Sequence, residues 1–167
     1  MLNPPVFAAQ VRAVLAAGHD LGADSLARRA TEAAADWLAS GCPAKPAPGE
    51  VILGHGDPNL ANFLWDGTQI RIVDFEDSGP SCRAFELAIL VEHRSAWSEC
   101  GLDAAGLLAL FDLTASELAM LAEYRRLAAV FWLFQLRQGS SANRRYGHDV
   151  LTRQACRLLA VLGQNDR

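Results

Sequence analysis

The run His55-Gly56-Asp57-Pro58-Asn59-Leu60-Ala61-Asn62, with Asp74-Phe75-Glu76 twelve residues beyond its end, dictates how the rest of the chain has to be arranged. Phe63-Leu64-Trp65 and Ile70-Arg71-Ile72-Val73 are strand-like runs on either side of Asp66-Gly67-Thr68-Gln69, and Asp-Gly between two such runs is a strong hairpin signal. A hairpin that begins after Asn62 and ends before Asp74 folds these two residues back toward each other. Val51-Ile52-Leu53, an apolar run ahead of the polar loop, reads as a buried strand leading into it. Phe75 is expected to pack beneath the turn that carries Asp74.

The residue types at these positions suit one kind of chemistry. Asp57 is a carboxylate that accepts or orients the proton of an attacking hydroxyl, and Asn62 and Asp74 supply hard oxygens of the kind magnesium prefers. Phosphoryl transfer asks a protein mainly for positioning and charge neutralisation, so a base and two oxygen ligands are the parts it needs.

Working outward, Asn3 before Pro4 resembles an N-cap with proline at the first helical position, opening a helix to about Ala17. Leu26, Ala30, Ala33 and Trp37 recur at helical spacing in a second helix that stops near Gly41. Residues 1–40 are thus a helical pair, 41–50 a Pro-rich loop and 51–80 the polar loops with their hairpin; 81–167 form a helical subdomain. Within that subdomain Arg83 to about Glu99 reads as one helix. Thr114-Ala115-Ser116-Glu117 is a capping box for a long helix to about Arg137, and Leu151, Ala155, Leu158, Leu159 and Leu162 stripe a final one. The fold class expected is a single domain, mainly α with a small β-hairpin element.

Composition narrows the field. With 167 residues, half of them hydrophobic, the chain can bury a substantial core. A net charge of −4 and scattered arginines give no footprint for nucleic acid. No run spans a bilayer, since the apolar stretch Leu127 to Leu136 is too short, and the N-terminus lacks the pattern of a signal peptide. Cys42, Cys82, Cys100 and Cys156 lie far apart without zinc-type or disulfide spacing, so they are expected as buried or half-buried thiols in a reducing cytoplasm. Lys45, the only lysine, falls in the Pro-rich loop, which leaves no lysine for a strand.

His55 to Asn62, Ile72-Val73-Asp74-Phe75-Glu76 and the Gly79 to Ala88 stretch together resemble the catalytic and metal-binding loops of the kinase-like fold, specifically the aminoglycoside phosphotransferase and choline kinase group. The likeness is close over Val51 to His93 and loose in the flanking helices. It implies the C-terminal, helical lobe of the protein-kinase-like fold and a phosphotransferase using ATP and magnesium. In that reading Asp57 maps to the catalytic base, Asn62 and Asp74 to magnesium ligands, and His55 to a residue bracing the loop. Glu86 stands where the family usually has an Asp that hydrogen-bonds the loop backbone. Protein kinases usually carry arginine at the position of Gly56, where it couples activity to an activation loop; glycine here suggests a small-molecule substrate and no such switch. Kinases of this fold also place a β-rich nucleotide-binding lobe, with a phosphate loop and a strand lysine, ahead of this part, and neither occurs before His55.

Two functional expectations therefore stand side by side. One is an ATP-dependent kinase for a hydroxyl on an aminoglycoside-like or amino-alcohol-like compound, completed by an N-terminal lobe in cis or in trans. The other is a solitary, non-catalytic lobe acting as a binding or scaffolding module or surviving as a degenerate remnant. Self-association is a third way to cover the face such a lobe would occupy. Glu76, Asp77, Glu92 and Asp103 read either as an acidic surface for a cationic substrate or as solvated helix faces. Trp97, Trp132 and Tyr124 read either as a cation-π wall or as core.

Overall fold

The computed structural model describes residues 4–17, 25–40, 51–138 and 149–163. The Asn3 cap and the Pro-rich loop with Lys45 and Cys42 lie outside the described residues. Six α-helices and four short strands make up a mostly helical structure with two small antiparallel sheets among the described residues.

Helices α1 (Pro4–Ala16) and α2 (Ser25–Ala39) form the pair expected from their periodicity. Proline at the first helical position has the φ that position needs and lacks only a donor that would have no partner there. Phe7, Ala8 and Val11 of α1 and Ala27, Ala30, Ala33 and Ala34 of α2 are buried, and the alanine stripe lets α2 approach its neighbours closely. At the centre lies α5 (Ala115–Gln138), which packs on α3 (Arg83–Glu92) on one side and α6 (Val150–Val161) on the other. Leu127, Ala128, Ala129, Val130, Leu133, Phe134 and Leu136 are all buried, so this half of α5 is enclosed on nearly every side. Its start is the expected capping box: Glu117 N donates to Thr114 Oγ1 and Thr114 N to Glu117 Oε2. The Thr114 hydrogen bonds, helped by the Arg83 guanidinium that forks onto the same carboxylate, hold the Glu117 carboxyl below its usual range.

The hairpin forms as its turn residues dictate. β2 (Phe63–Trp65) and β3 (Ile70–Ile72) pair antiparallel with Phe63 opposite Ile72 and Trp65 opposite Ile70. Asp66 Oδ1 accepts from the amides of Thr68 and Gln69 and from Thr68 Oγ1, while Gly67 takes φ 100°, a conformation that favours glycine. Those bonds, led by the Gln69 amide, pull the Asp66 carboxyl down to about 2. The second sheet pairs β1 (Ile52–Gly54) with β4 (Gly79–Ser81), Gly54 opposite Gly79.

Three expectations need correcting. The strand at Ile52–Gly54 is not buried: Val51 is 72% and Leu53 74% exposed, and only its Gly54 end tucks under the loop. The helix from Arg83 stops at Glu92 instead of running to Glu99. There His93 becomes extended and its Nδ1 accepts the Ser95 amide at 3.1 Å, so a side chain takes a donor that a continuing helix would use, and a wide π-type turn, Ser95–Cys100, follows. Finally, Cys82 is half-buried, but Cys100 and Cys156 are exposed.

Candidate active site

The loop between β1 and β2 is held open by local bonds from its own residues. Asp57 Oδ1 accepts the Asn59 amide at 3.0 Å and its Oδ2 accepts Asn62 Nδ2 at 2.8 Å, so both carboxylate oxygens are fixed in direction. A carboxylate requires an N–H from Asn62, which leaves the Asn62 carbonyl oxygen as its remaining acceptor. Asn62 ends a short 3-10 turn, Leu60–Asn62, opened by an Asn59 cap onto the Ala61 amide. Its backbone oxygen accepts the Val73 amide at 3.0 Å, which brings the hairpin's exit beside its entrance.

Asp74 follows directly and is the sole non-glycine described residue at positive φ, 67° with ψ 57°. Such a conformation costs roughly 1 kcal/mol or more for an L-residue and is best tolerated by Asn and Asp. It turns the chain from β3 into a second 3-10 turn, Phe75–Asp77. His55 joins the two loops. Its Nδ1 lies 2.8 Å from the Asp57 carbonyl oxygen, its Nε2 donates to the Val73 carbonyl at 2.7 Å, and its ring meets Phe75 edge-on at 4.7 Å. Phe75 is 48% exposed, so it stands beside His55 and not beneath the turn.

Glu86 reaches the same loop from α3. Its Oε2 accepts the amides of His55 at 3.0 Å and Gly56 at 3.4 Å, and its Oε1 accepts Ser81 Oγ at 2.6 Å. The additional methylene relative to Asp is accommodated because residue 54 is glycine: a Cβ there would fall on the Glu86 carboxylate and on Ser81 Cβ. Gly56 is required for a different reason, since its φ is 81° and a Cβ would run into the Asp77 carbonyl.

A cleft of about 470 Å³ opens beside Asp57, walled by Phe7 and Val14 of α1, Ile89 of α3 and Phe131 and Trp132 of α5. Its polar lining comprises Asp57, Asp77, His93, Gln10 and Gln135. Nothing in the sequence singles out His93; a histidine just past a helix end gives no signal until the loop folds over it.

A model of the phosphotransferase enzyme family matches residues 3–130. The chain belongs to this family. The expected kinship with the aminoglycoside phosphotransferases holds, and the class of chemistry is phosphoryl transfer of the kinase-like type. No curated protein and no solved structure gives a match. In this phosphotransferase, no described helix is long and apolar enough to cross a membrane.

Of the remaining acidic and aromatic residues, Asp77 and Trp132 line the cleft, whereas Glu92, Asp103, Tyr124 and Trp97 fall on the structural side of their two readings or sit apart. Glu92 is fully buried and accepts from Arg125 Nε at 2.8 Å and Arg157 Nη2 at 2.9 Å, so it belongs to no acidic surface. Asp103 caps α4 (Ala104–Leu108) through the Gly106 amide. Tyr124 is core; Arg153 and Arg157 stand over the Trp97 ring, and Arg94 over that of Trp132.

The donor set fits a magnesium ion. Family membership implies a nucleotide donor and usually a divalent metal, and the Asn62 carbonyl oxygen with the Asp74 carboxylate is a hard, all-oxygen pair. Magnesium is commonly held by one or two carboxylates completed by substrate phosphates and water, so no cluster of three or more His, Cys, Asp or Glu is needed, and none occurs among the described residues.

Proposed function

We propose that this chain is the helical, C-terminal lobe of a kinase-like phosphotransferase that moves the terminal phosphoryl group of ATP to a hydroxyl of a small molecule. Asp57 takes the acceptor's proton as its oxygen bonds to the γ-phosphorus, the bond to the bridging oxygen breaks and ADP leaves. Asn62 and Asp74 hold magnesium, which neutralises phosphate charge when bound. His55 and Glu86 keep the two loops in register. The observation that carries this reading is the Asn62 bridge: its side chain bonds Asp57 at 2.8 Å while its backbone bonds Val73, the residue before Asp74. Cytoplasm, where ATP, magnesium and reduced thiols coexist, is the proposed setting.

The test is a coupled kinase assay on the complete gene product with ATP, magnesium and a panel of aminoglycosides, amino alcohols, sugars and neutral alcohols. At least one acceptor is expected to turn over, with loss of magnesium-dependent ATP binding in Asp74→Asn. Absence of turnover across the panel, together with no calorimetric binding of magnesium-ATP, would sink the proposal.

A specific observation also favours a covering partner. Val51, Leu53, Trp65 and Ile70 are between 61% and 74% exposed, the last three on the two small sheets and Val51 just before β1. Exposed apolar groups in such number are the mark of an interaction surface, and a β-rich lobe or a second copy would serve. Light scattering of this 167-residue chain is expected to show concentration-dependent association that Leu53→Glu with Trp65→Glu abolishes; a monomer at every concentration contradicts it.

A further inference from the structure

The walls of the cleft beside Asp57 define its occupant more narrowly than the family does. Five of its lining side chains, Phe7, Val14, Ile89, Phe131 and Trp132, are apolar, whereas Asp57 and Asp77 are its two carboxylates among the described residues. An amino sugar bearing several ammonium groups needs more anionic partners than that, because each unpaired cation taken from water is costly. A quaternary ammonium group would need an open aromatic face, and Arg94 stands 5.4 Å from the centre of the Trp132 ring, so a second cation there meets like charge.

One polar group in the apolar wall has a defined direction of hydrogen bonding. His93 is 4% exposed and packs edge-on against Trp132 at 4.4 Å. Its Nδ1 accepts the Ser95 amide at 3.1 Å and lies 2.6 Å from Ser95 Oγ, which itself accepts the Leu60 amide at 3.0 Å. The bond from the Ser95 amide requires the lone pair of Nδ1, and the Ser95 hydroxyl, which accepts the Leu60 amide, has its own proton to direct to the same nitrogen. Nδ1 is therefore an acceptor, and the ring's proton sits on Nε2. Burial, with the nearby Arg94 charge adding to it and Asp57 opposing, lowers His93 to about 4, which keeps the ring neutral near pH 7.

Resting on the phosphotransferase reading above, we propose that the acceptor is a neutral alcohol with an apolar body and a second, hydrogen-bond-accepting oxygen, and that His93 Nε2–H recognises that oxygen. His93 is then a specificity residue; the Ser95 bond that sets its tautomer also ties it to the loop carrying Asp57.

The experiment compares aryl-substituted diols with their mono-deoxy analogues, choline and an aminoglycoside as acceptors for the complete gene product, in wild type, His93→Phe and His93→Gln. The diols are expected to have the highest kcat/KM in wild type and to exceed their deoxy analogues by about tenfold, the worth of one neutral hydrogen bond. His93→Phe should erase that ratio by raising KM for the diols alone, and His93→Gln should restore part of it. A general disturbance of the loop would instead lower turnover of both members of each pair. Isothermal titration of the same pairs into wild type supplies the ratio independently should a variant fail to fold. Preference for choline or the aminoglycoside, or an unchanged ratio in a folded His93→Phe, overturns this inference and leaves the phosphotransferase reading standing. Absence of turnover and of magnesium-ATP binding overturns both.

Discussion

Asp57→Asn is expected to lower kcat by about 10³-fold, within the 10²- to 10⁴-fold range of a general base, while leaving the KM for magnesium-ATP within about threefold. The substitution keeps shape and one of the two side-chain bonds. An amide oxygen at position 57 still accepts the Asn59 amide that Asp57 Oδ1 accepts at 3.0 Å, so that bond of the loop is kept. What disappears is the charge and the ability to take a proton. The amide can still orient a hydroxyl, which is why some rate persists. The other half of the new amide is an NH2 group, a donor where the carboxylate accepts Asn62 Nδ2 at 2.8 Å, so that charge-assisted bond is lost, at a cost of about 1.5–3 kcal/mol. Steady-state kinetics with whichever acceptor the panel identifies, beside a denaturation curve, separates chemistry from stability. A kcat within tenfold of wild type would remove Asp57 from the role of base.

Glu92→Ala is expected to destabilise the chain by about 3 kcal/mol, the lower end of the range for breaking a buried ion pair. The carboxylate is fully buried between α3, α5 and α6, and Arg125 and Arg157 approach it at 2.7 and 2.9 Å. Removing it leaves two guanidinium groups facing each other with no carboxylate between them. Their side chains retain 30% and 29% exposure, so water relieves part of the repulsion, and the lower end is the appropriate one. Urea unfolding measures the effect as a shift in midpoint at constant slope. The companion variant Glu92→Met with Arg125→Met and Arg157→Met should recover most of the loss, because an apolar set of similar volume needs no desolvation of charge. A Glu92→Ala change below about 1 kcal/mol would mean the pair is solvated in practice and contributes little.

These two residues show what can be read from the chain. Asp57 is legible because its neighbours carry the information locally: Asn62 is five residues away and the Asp66-Gly67 turn sets the hairpin that returns to Asp74. The helices at Pro4–Ala16, Ser25–Ala39, Ala115–Gln138 and Val150–Val161 are legible for the same reason, since periodicity, proline at the first turn and the Thr114 box act within one or two turns. Glu92 passes for a surface acid in the sequence because its partners lie 33 and 65 residues away, and no sequence window shows which arginine will meet which carboxylate. Trp132 and Trp97 stay between two readings there because the cations over them come from other elements.

By itself, then, the sequence determined the helical pattern, the hairpin and the closeness of Asn62 to Asp57, all of them interactions between residues close along the chain. The tertiary structure alone decided that Glu86 fits because residue 54 has no side chain, that Val51 and Leu53 face outward, and that His93 is buried in the cleft wall with its Nδ1 against Ser95. Each depends on which distant surfaces meet, and burial, charge pairing and the direction of a hydrogen bond exist only once they have met.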